Sequence, residues 1–290
     1  MNNKFCYLCE SSDFKTRPGN VRDNKHLKIL ECNECGLVFL DGDDHITEDH
    51  YQNSGMHDFK PDYDRWLINC KKDDSRRLDF LKPKIANKTV LDFGCGIGGF
   101  LGLASQFCKE CYGLELEVGL QESFSQRGLK VYSNYDDLLS SGLKFDIITS
   151  FHVVEHLKNP SEILKNLSQI LNDNGEIIVE VPSSSDALLS LFNSVPFQNF
   201  TYWSQHLFLF NPDTFLKLSK KAELSLNWVK SIQRYPLSNH LHWLSQGLPG
   251  GHEKWSFLDS PKLTNAYEET LASLGITDTL IASLSKPDLD

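Results

Sequence analysis

The sequence predicts an α/β protein: an open parallel sheet with helices on both faces, preceded by a small cysteine-framed module and followed by a mostly helical tail. Three observations carry that expectation. The run Val90-Leu91-Asp92-Phe93-Gly94-Cys95-Gly96-Ile97-Gly98-Gly99-Phe100 joins a short apolar strand to a helix through glycines. A second apolar run, Cys111-Tyr112-Gly113-Leu114-Glu115, ends in an acid roughly 20 residues past them, as a strand, helix, strand unit requires. Two Cys-x2-Cys pairs, Cys6/Cys9 and Cys32/Cys35, stand near the N-terminus. At 290 residues the chain has room for one such core and a small accessory module, and it divides into 1–45, 46–82, 83–235 and 236–290.

The module at 1–45 comes first. Its cysteine pairs are separated by 22 residues, a little beyond the usual range for a four-thiolate zinc site. Four thiolates close a tetrahedral zinc ion completely, so Cys6, Cys9, Cys32 and Cys35 would make a structural, zinc-ribbon-like site. So short a segment holds little apolar content, and zinc binding can supply roughly 10 to 16 kcal/mol in comparable modules. Two disulfides and iron–sulfur ligation are the competing readings. Residues 46–82 follow as a linker with Tyr51, Phe59, Tyr63, Trp66 and Leu67, then a helix through Arg76, Arg77, Leu78 and Phe80 to Pro83. Its aromatics pack on the core or close over a ligand as a lid.

Val90 and Leu91 end the first core strand, and Phe100, Leu101, Leu103, Ala104 and Phe107 give the next helix its apolar face. Gly94, Gly96 and Gly98 permit positive φ and close approach of backbone to a ligand. A dinucleotide fold also uses a glycine turn, but there the helix N-terminus receives a pyrophosphate, and an acid just ahead would repel it. Asp92 occupies that place, which suits a ligand carrying an ammonium and a sulfonium. The pattern Asp92-x-Gly94-x-Gly96-x-Gly98 resembles the first motif of class I S-adenosylmethionine-dependent methyltransferases, whose sheet is Rossmann-like. The resemblance implies that Asp92 and the loop at Gly94, Cys95, Gly96 and Gly98 hold the methionine part of the cofactor. Glu115 then takes the ribose, Asp136 the adenine, and Phe151 lies beside the cofactor. Glu117 competes with Glu115 but is explained as an acid in the next helix's first turn.

Phe145 to Ser150 reads as a central strand with Phe151-His152-Val153-Val154-Glu155-His156 at its C-terminal end, where open α/β sheets bind ligands. A helix then starts at Asn159-Pro160 with Ile163, Leu164, Leu167, Ile170 and Leu171 as one stripe and Gly175 past its stop. Glu176 to Pro182 is the next strand. This block resembles the family's fourth and fifth motifs, and the Glu155-His156 pair is similar to that of many small-molecule methyltransferases. Methyl transfer is an in-line displacement that relies on proximity. A hydroxyl acceptor also has to lose its proton, for which histidine is suited near neutral pH. His156 is the first candidate base, Glu155 its orienting partner, and His152 and His206 the next candidates. A purely structural role for His156 in the loop is the bland alternative. Cys70, Cys95, Cys108 and Cys111 read as packing thiols.

The segment Phe200-Thr201-Tyr202-Trp203-Ser204-Gln205-His206 supplies candidate substrate contacts. From Tyr235 onward, two Trp and three His fall within 16 residues, His240 to Trp255. That suits a sugar's faces and hydroxyls, a dimer contact or a cap on the core. Together the module, core and tail resemble bacterial methyltransferases of surface-polysaccharide and deoxysugar pathways. The resemblance implies O- or C-methylation of a sugar or nucleotide-sugar. Net charge −10, without a Lys/Arg cluster interleaved with aromatics, opposes nucleic acid as partner. The alternatives are an rRNA or tRNA methyltransferase and a non-catalytic zinc-bearing scaffold. No signal-like N-terminus and no run of 18 apolar residues is present, so a cytoplasmic protein without membrane insertion is expected.

Overall fold

A computed structural model describes residues 5–47, 50–53 and 62–287. Phe59, one of the lid aromatics, lies outside them. The N-terminal part forms β1 (Phe14–Thr16), β2 (Ile29–Cys32) and β3 (Val38–Leu40), paired antiparallel in that order. Then come α1 (Tyr63–Ile85), β4 (Thr89–Phe93), α2 (Gly99–Ala104), β5 (Glu110–Leu114), α3 (Gln121–Gln126) and β6 (Val131–Tyr132). They are followed by α4 (Tyr135–Ser140), β7 (Phe145–Phe151), α5 (Pro160–Gln169) and β8 (Leu171–Pro182). The chain continues through α6 (Ala187–Ser190), α7 (Val195–Thr201), β9 (Phe208–Leu209), α8 (Pro212–Lys221) and β10 (Ser225–Ile232). It ends with α9 (Leu237–Gln246), α10 (Gly251–Lys254), α11 (Pro261–Leu274) and β11 (Thr279–Ser285).

The central sheet has the order β10-β11-β8-β7-β4-β5-β6. Strands β6, β5, β4, β7 and β8 are parallel, whereas β11 runs antiparallel between β8 and β10. The expected α/β sheet with helices on both faces is present, but it is mixed. Its parallel strands are apolar on both faces, as a covered sheet demands. Ile148 and Ile177 enter one core and Ile147 and Ile178 the other, and all four are buried.

Two expected boundaries are corrected by pairing. The tail at 236–290 does not stand apart from 83–235, because β11 lies inside the core sheet. The module at 1–45 is not closed either, because β9 completes its sheet through Val38↔Leu209 and Phe39↔Phe208. Leu37, Val38 and Phe39 share one apolar core with Ile148, Val179 and Leu284. Tyr7 adds a hydrogen bond between its hydroxyl and that of Ser161, at 2.7 Å, in the first turn of α5.

Local signals were partly overridden. Helix α1 runs through Pro83 to Ile85, crossing the 82/83 boundary. Asn159 makes no side-chain cap on α5, although Pro160 opens that helix. Helix α5 stops at Gln169, so Leu171 and Gly175 belong to β8. Gly175 is needed there, since a Cβ would stand 2.6 Å from Leu171 Cγ.

Helix α1 is tied to the sheet by charge. Glu180, fully buried on β8, accepts from Arg76 Nη2 at 2.9 Å and from Arg77 Nη2 at 2.7 Å. Burial opposes its ionisation, yet the bond from His152 and the two guanidinium groups hold its carboxyl well below the usual range. Its contribution to stability is therefore present above the ordinary carboxylate pKa and is lost as pH falls through the depressed folded value. Glu180→Gln should cost about 3–5 kcal/mol, because it breaks a buried ion pair and leaves the Arg77 charge with Asp74 as its remaining carboxylate partner. Urea unfolding of the two proteins measures the difference, and a loss below about 1 kcal/mol would be the value of an exposed pair instead.

Candidate active site

Sheet order reverses between β4 and β7: from β4 the chain proceeds to β5 and β6 on one side, then returns to β7 and β8 on the other. Ligands of open α/β sheets bind at that switch point, beyond the C-terminal ends of the strands. A cavity of about 560 Å³ lies there. It is lined by Asp92 and Phe93 from β4, Leu114 from β5 and Phe151 from β7. Its volume falls within the roughly 300–1,000 Å³ of small-molecule sites.

The glycine turn forms its floor. Gly94 and Gly96 have φ of 71° and 52°, and both line the cavity. Gly94 has no room for a side chain, since a Cβ would lie 2.5 Å from Val153 Cγ2. Glu115 accepts from Gly96 N at 2.8 Å and from Glu117 N at 2.9 Å, so one carboxylate fastens the turn to the exit of β5. Lone pairs beyond those two bonds remain for a hydroxylated ligand. Asp92 is buried and accepts from Thr149 Oγ1 at 2.8 Å. Burial pushes its carboxyl up to about 7, partly offset by the threonine bond.

The other end of the cavity is histidine-rich. His156 lines it and donates Nδ1–H to the Gln205 carbonyl at 2.8 Å, which leaves Nε2 as the acceptor nitrogen. Burial lowers the pKa of His156. His152, at φ 56°, also lines the cavity; its Nδ1 is 3.2 Å from Glu155 Oε1 and its Nε2 2.9 Å from Arg234 Nη1. Glu155 is fully buried behind the two histidines. Burial opposes its ionisation, but the bond from His152 and the neighbouring His156 hold it at about 2.

Eight of the expected site residues therefore line one cavity: Asp92, Gly94, Cys95, Gly96, Glu115, Phe151, His152 and His156. Four do not. Gly98, at φ 74°, is the N-cap of α2, turned toward Leu129 and Phe124. Asp136 is exposed in the first turn of α4, so the adenine assignment to it is withdrawn. Glu155 and His206 lie behind His156. The tail is corrected as well: Trp243 packs on Phe197 and Phe200, His240 bonds Tyr267, and His242 bonds the Leu248 carbonyl. Substrate contact by those three is not supported, because none of them lines the cavity. Of the lid aromatics, Tyr51 and Trp66 line it, whereas Tyr63 turns away to donate to the Gly119 carbonyl. Glu117 lines it too, against the expectation that it merely begins a helix.

Sequence reasoning missed Asn69, Asp73, Asp74 and Arg77 of α1, and Arg234. Asp74 lies over the start of α2, its carboxylate occupying the space that a Cβ at Gly99 would need. Arg77 was expected only as part of a helix running to Pro83, with no site role.

In the module, Cys6 Sγ is 3.5 Å from Cys35 Sγ and Cys9 Sγ is 3.5 Å from Cys32 Sγ, with all four within 4.8 Å of one another. A tetrahedral metal with bonds of about 2.3 Å needs sulfurs about 3.8 Å apart. A disulfide needs about 2.05 Å, and all four cysteines are free. Backbone N–H groups of Leu8 and Cys9 point at Cys6, and those of Glu34 and Cys35 at Cys32. The donor set fits a metal ion. Cys108 and Cys111 instead pack against the core, as expected.

Residues 65–227 match the family described as a methyltransferase domain. The chain belongs to that family. An uncharacterised methyltransferase of Schizosaccharomyces pombe is 26% identical over 195 residues, covering 61% of this chain and 67% of the relative. An uncharacterised protein of Methanocaldococcus jannaschii is 30% identical over 153 residues, covering 51% and 66%. The chain spans about two thirds of those relatives. The crystal structure of an S-adenosylmethionine-dependent methyltransferase from Thermotoga maritima superposes with a TM-score of 0.50 at 19% identity, covering 78% of this chain and 94% of that one. The protein is thus a class I S-adenosylmethionine-dependent methyltransferase with a Rossmann-like sheet. No helix among the described residues is long and apolar enough to cross a membrane.

For this methyltransferase, Gly94→Ala should cost about 1–3 kcal/mol of stability through its positive φ and the Val153 clash. Gly102→Ala, in α2 with nothing among the described residues within 4 Å of the added Cβ, should be neutral or stabilising. Thermal unfolding compares them, and equal melting temperatures would remove the argument for the turn.

Proposed function

We propose that the methyltransferase alkylates a hydroxyl, or a carbon, of a sugar or nucleotide-linked sugar. The observation that supports this reading is that the loop acids and His156 line a single cavity. S-Adenosylmethionine supplies an electrophilic methyl group on a sulfonium. Asp92 and the backbone of Gly94, Cys95 and Gly96 would hold its methionine end, with Glu115 on the ribose hydroxyls. Phe151 is held edge-on by Phe100, with centroids 4.9 Å apart, and lies beneath the Arg77 guanidinium. Tyr51, Trp66 and Phe151 offer apolar faces in the same cavity as Asn69, Asp73 and Arg234, which suits a ring bearing several hydroxyls. The acceptor meets His156, whose Nε2 takes the hydrogen bond of its hydroxyl. The four-cysteine cluster is assigned to structural Zn²⁺, held by Cys6, Cys9, Cys32 and Cys35.

Two measurements test these roles. Asp92 has to be ionised to receive a cation, and its carboxyl in the open cavity titrates at about 7. Binding of S-adenosylhomocysteine, followed by calorimetry, should therefore weaken as pH falls from 8 to 6. Asp92→Asn should bind more weakly at pH 8, by about 1–3 kcal/mol, with the pH dependence gone. A wild-type affinity flat across that range would remove Asp92 from the ammonium. His156→Ala should keep the cofactor affinity and lose roughly 10²–10⁴ in turnover, the usual worth of a positioned proton acceptor. Full activity in that variant would exclude His156 from the chemistry.

A further inference from the structure

Behind the cavity wall, one ligand atom each from Glu155, His156 and His206 lies within 4.8 Å of the others. Glu155 is wholly buried, and its Oε2 has no hydrogen-bond partner among the described residues. Oε1 is served by His152, at 3.2 Å. A buried carboxylate oxygen without a donor is costly, and such an exception calls for a cause.

The His156 nitrogen turned toward Glu155 supplies no donor to this carboxylate. His156 has committed its Nδ1–H to the Gln205 carbonyl, so Nε2 presents a lone pair, 3.9 Å from Glu155 Oε1. Two acceptors facing each other at that distance are too far apart for a hydrogen bond and repel without a cation between them. A ring nitrogen tied to a backbone carbonyl is also the usual second contact of a metal-bound histidine. The ring of His206 completes the group, with its centroid 5.0 Å from that of His156.

We propose that a carboxylate oxygen of Glu155, His156 Nε2 and a ring nitrogen of His206 bind a divalent metal ion, Zn²⁺ by its two-imidazole, one-carboxylate donor set. Three protein ligands leave a coordination position open. His156 lines the cavity, so the metal would sit in the wall that the acceptor meets. Metal bonds of about 2.0–2.2 Å place tetrahedral donor atoms about 3.3–3.6 Å apart, so the three side chains would draw together by about 1 Å. The site is distinct from the four-cysteine cluster, whose donors are all sulfur. An acceptor hydroxyl coordinated there ionises more readily, its proton passing to solvent water and its oxygen remaining on the metal as alkoxide. This rests on the proposed hydroxyl acceptor and replaces the role given to His156 above: the residue acts as a ligand rather than as the base.

The full chain, dialysed against Zn²⁺ and desalted, should carry two zinc ions by mass spectrometry. Glu155→Gln and His206→Ala should each carry one. With Co²⁺ as the probe, the visible bands of the nitrogen and oxygen site should vanish in both variants, while the thiolate charge-transfer band persists and reports a folded module. One zinc ion in the wild type, or two in both variants, would overturn the proposal and leave His156 as the base. Calorimetry with S-adenosylhomocysteine on the same samples decides the cofactor reading separately, since Asp92 and Glu115 are not metal ligands here.

Discussion

The site depends on one constraint of strand order. Strand β4 pairs in parallel with β5 on one side and β7 on the other, so the connections leaving the C-terminal ends of β4 and β7 run in opposite directions. A crevice opens between them. The glycine turn after β4 and the Phe151–His156 segment after β7 become its two walls without being near in sequence. Thr149 and Asp92, paired in register across the two strands, share the hydrogen bond at the base of the crevice.

Around that crevice the molecule keeps much of its charge out of water. Glu180 holds Arg76 and Arg77, Arg77 also holds Asp74, and Arg234 binds Asp73 and meets His152. Buried charges of this kind add little net stability over apolar side chains of equal volume. Their effect is to fix α1, β8 and the segment after β10 relative to the histidines. The cysteine module contributes at a distance. Asp23 accepts from both the backbone and the hydroxyl of Ser204, and the adjacent Gln205 carbonyl sets the tautomer of His156.

What could be read from sequence was what sits on strand ends. Asp92, the glycines, Glu115 and His156 belong to short patterns whose chemistry and local structure coincide, and the fold followed from them. Arg77, Asp73 and Arg234 carried no such pattern, because they reach the cavity through tertiary packing of a helix and a late loop. Thr279–Ser285 alternates too little to mark itself as a strand, and only its pairing with β8 and β10 makes it one. The His and Trp residues of the tail invited a ligand, yet they satisfy one another and the backbone. Asp136 illustrates the opposite error, an acid in the right interval whose helix turns it to solvent.

The central claim is that a cationic methyl donor sits between Asp92 and Glu115 at the C-terminal edge of the sheet. A crystal structure of the protein with S-adenosylhomocysteine tests it most directly. The account predicts the amino group within hydrogen-bond reach of the Asp92 carboxylate and the ribose hydroxyls on Glu115, with the thioether sulfur turned toward His156. Density for the ligand outside this cavity, or a ribose with no contact to Glu115, would contradict it.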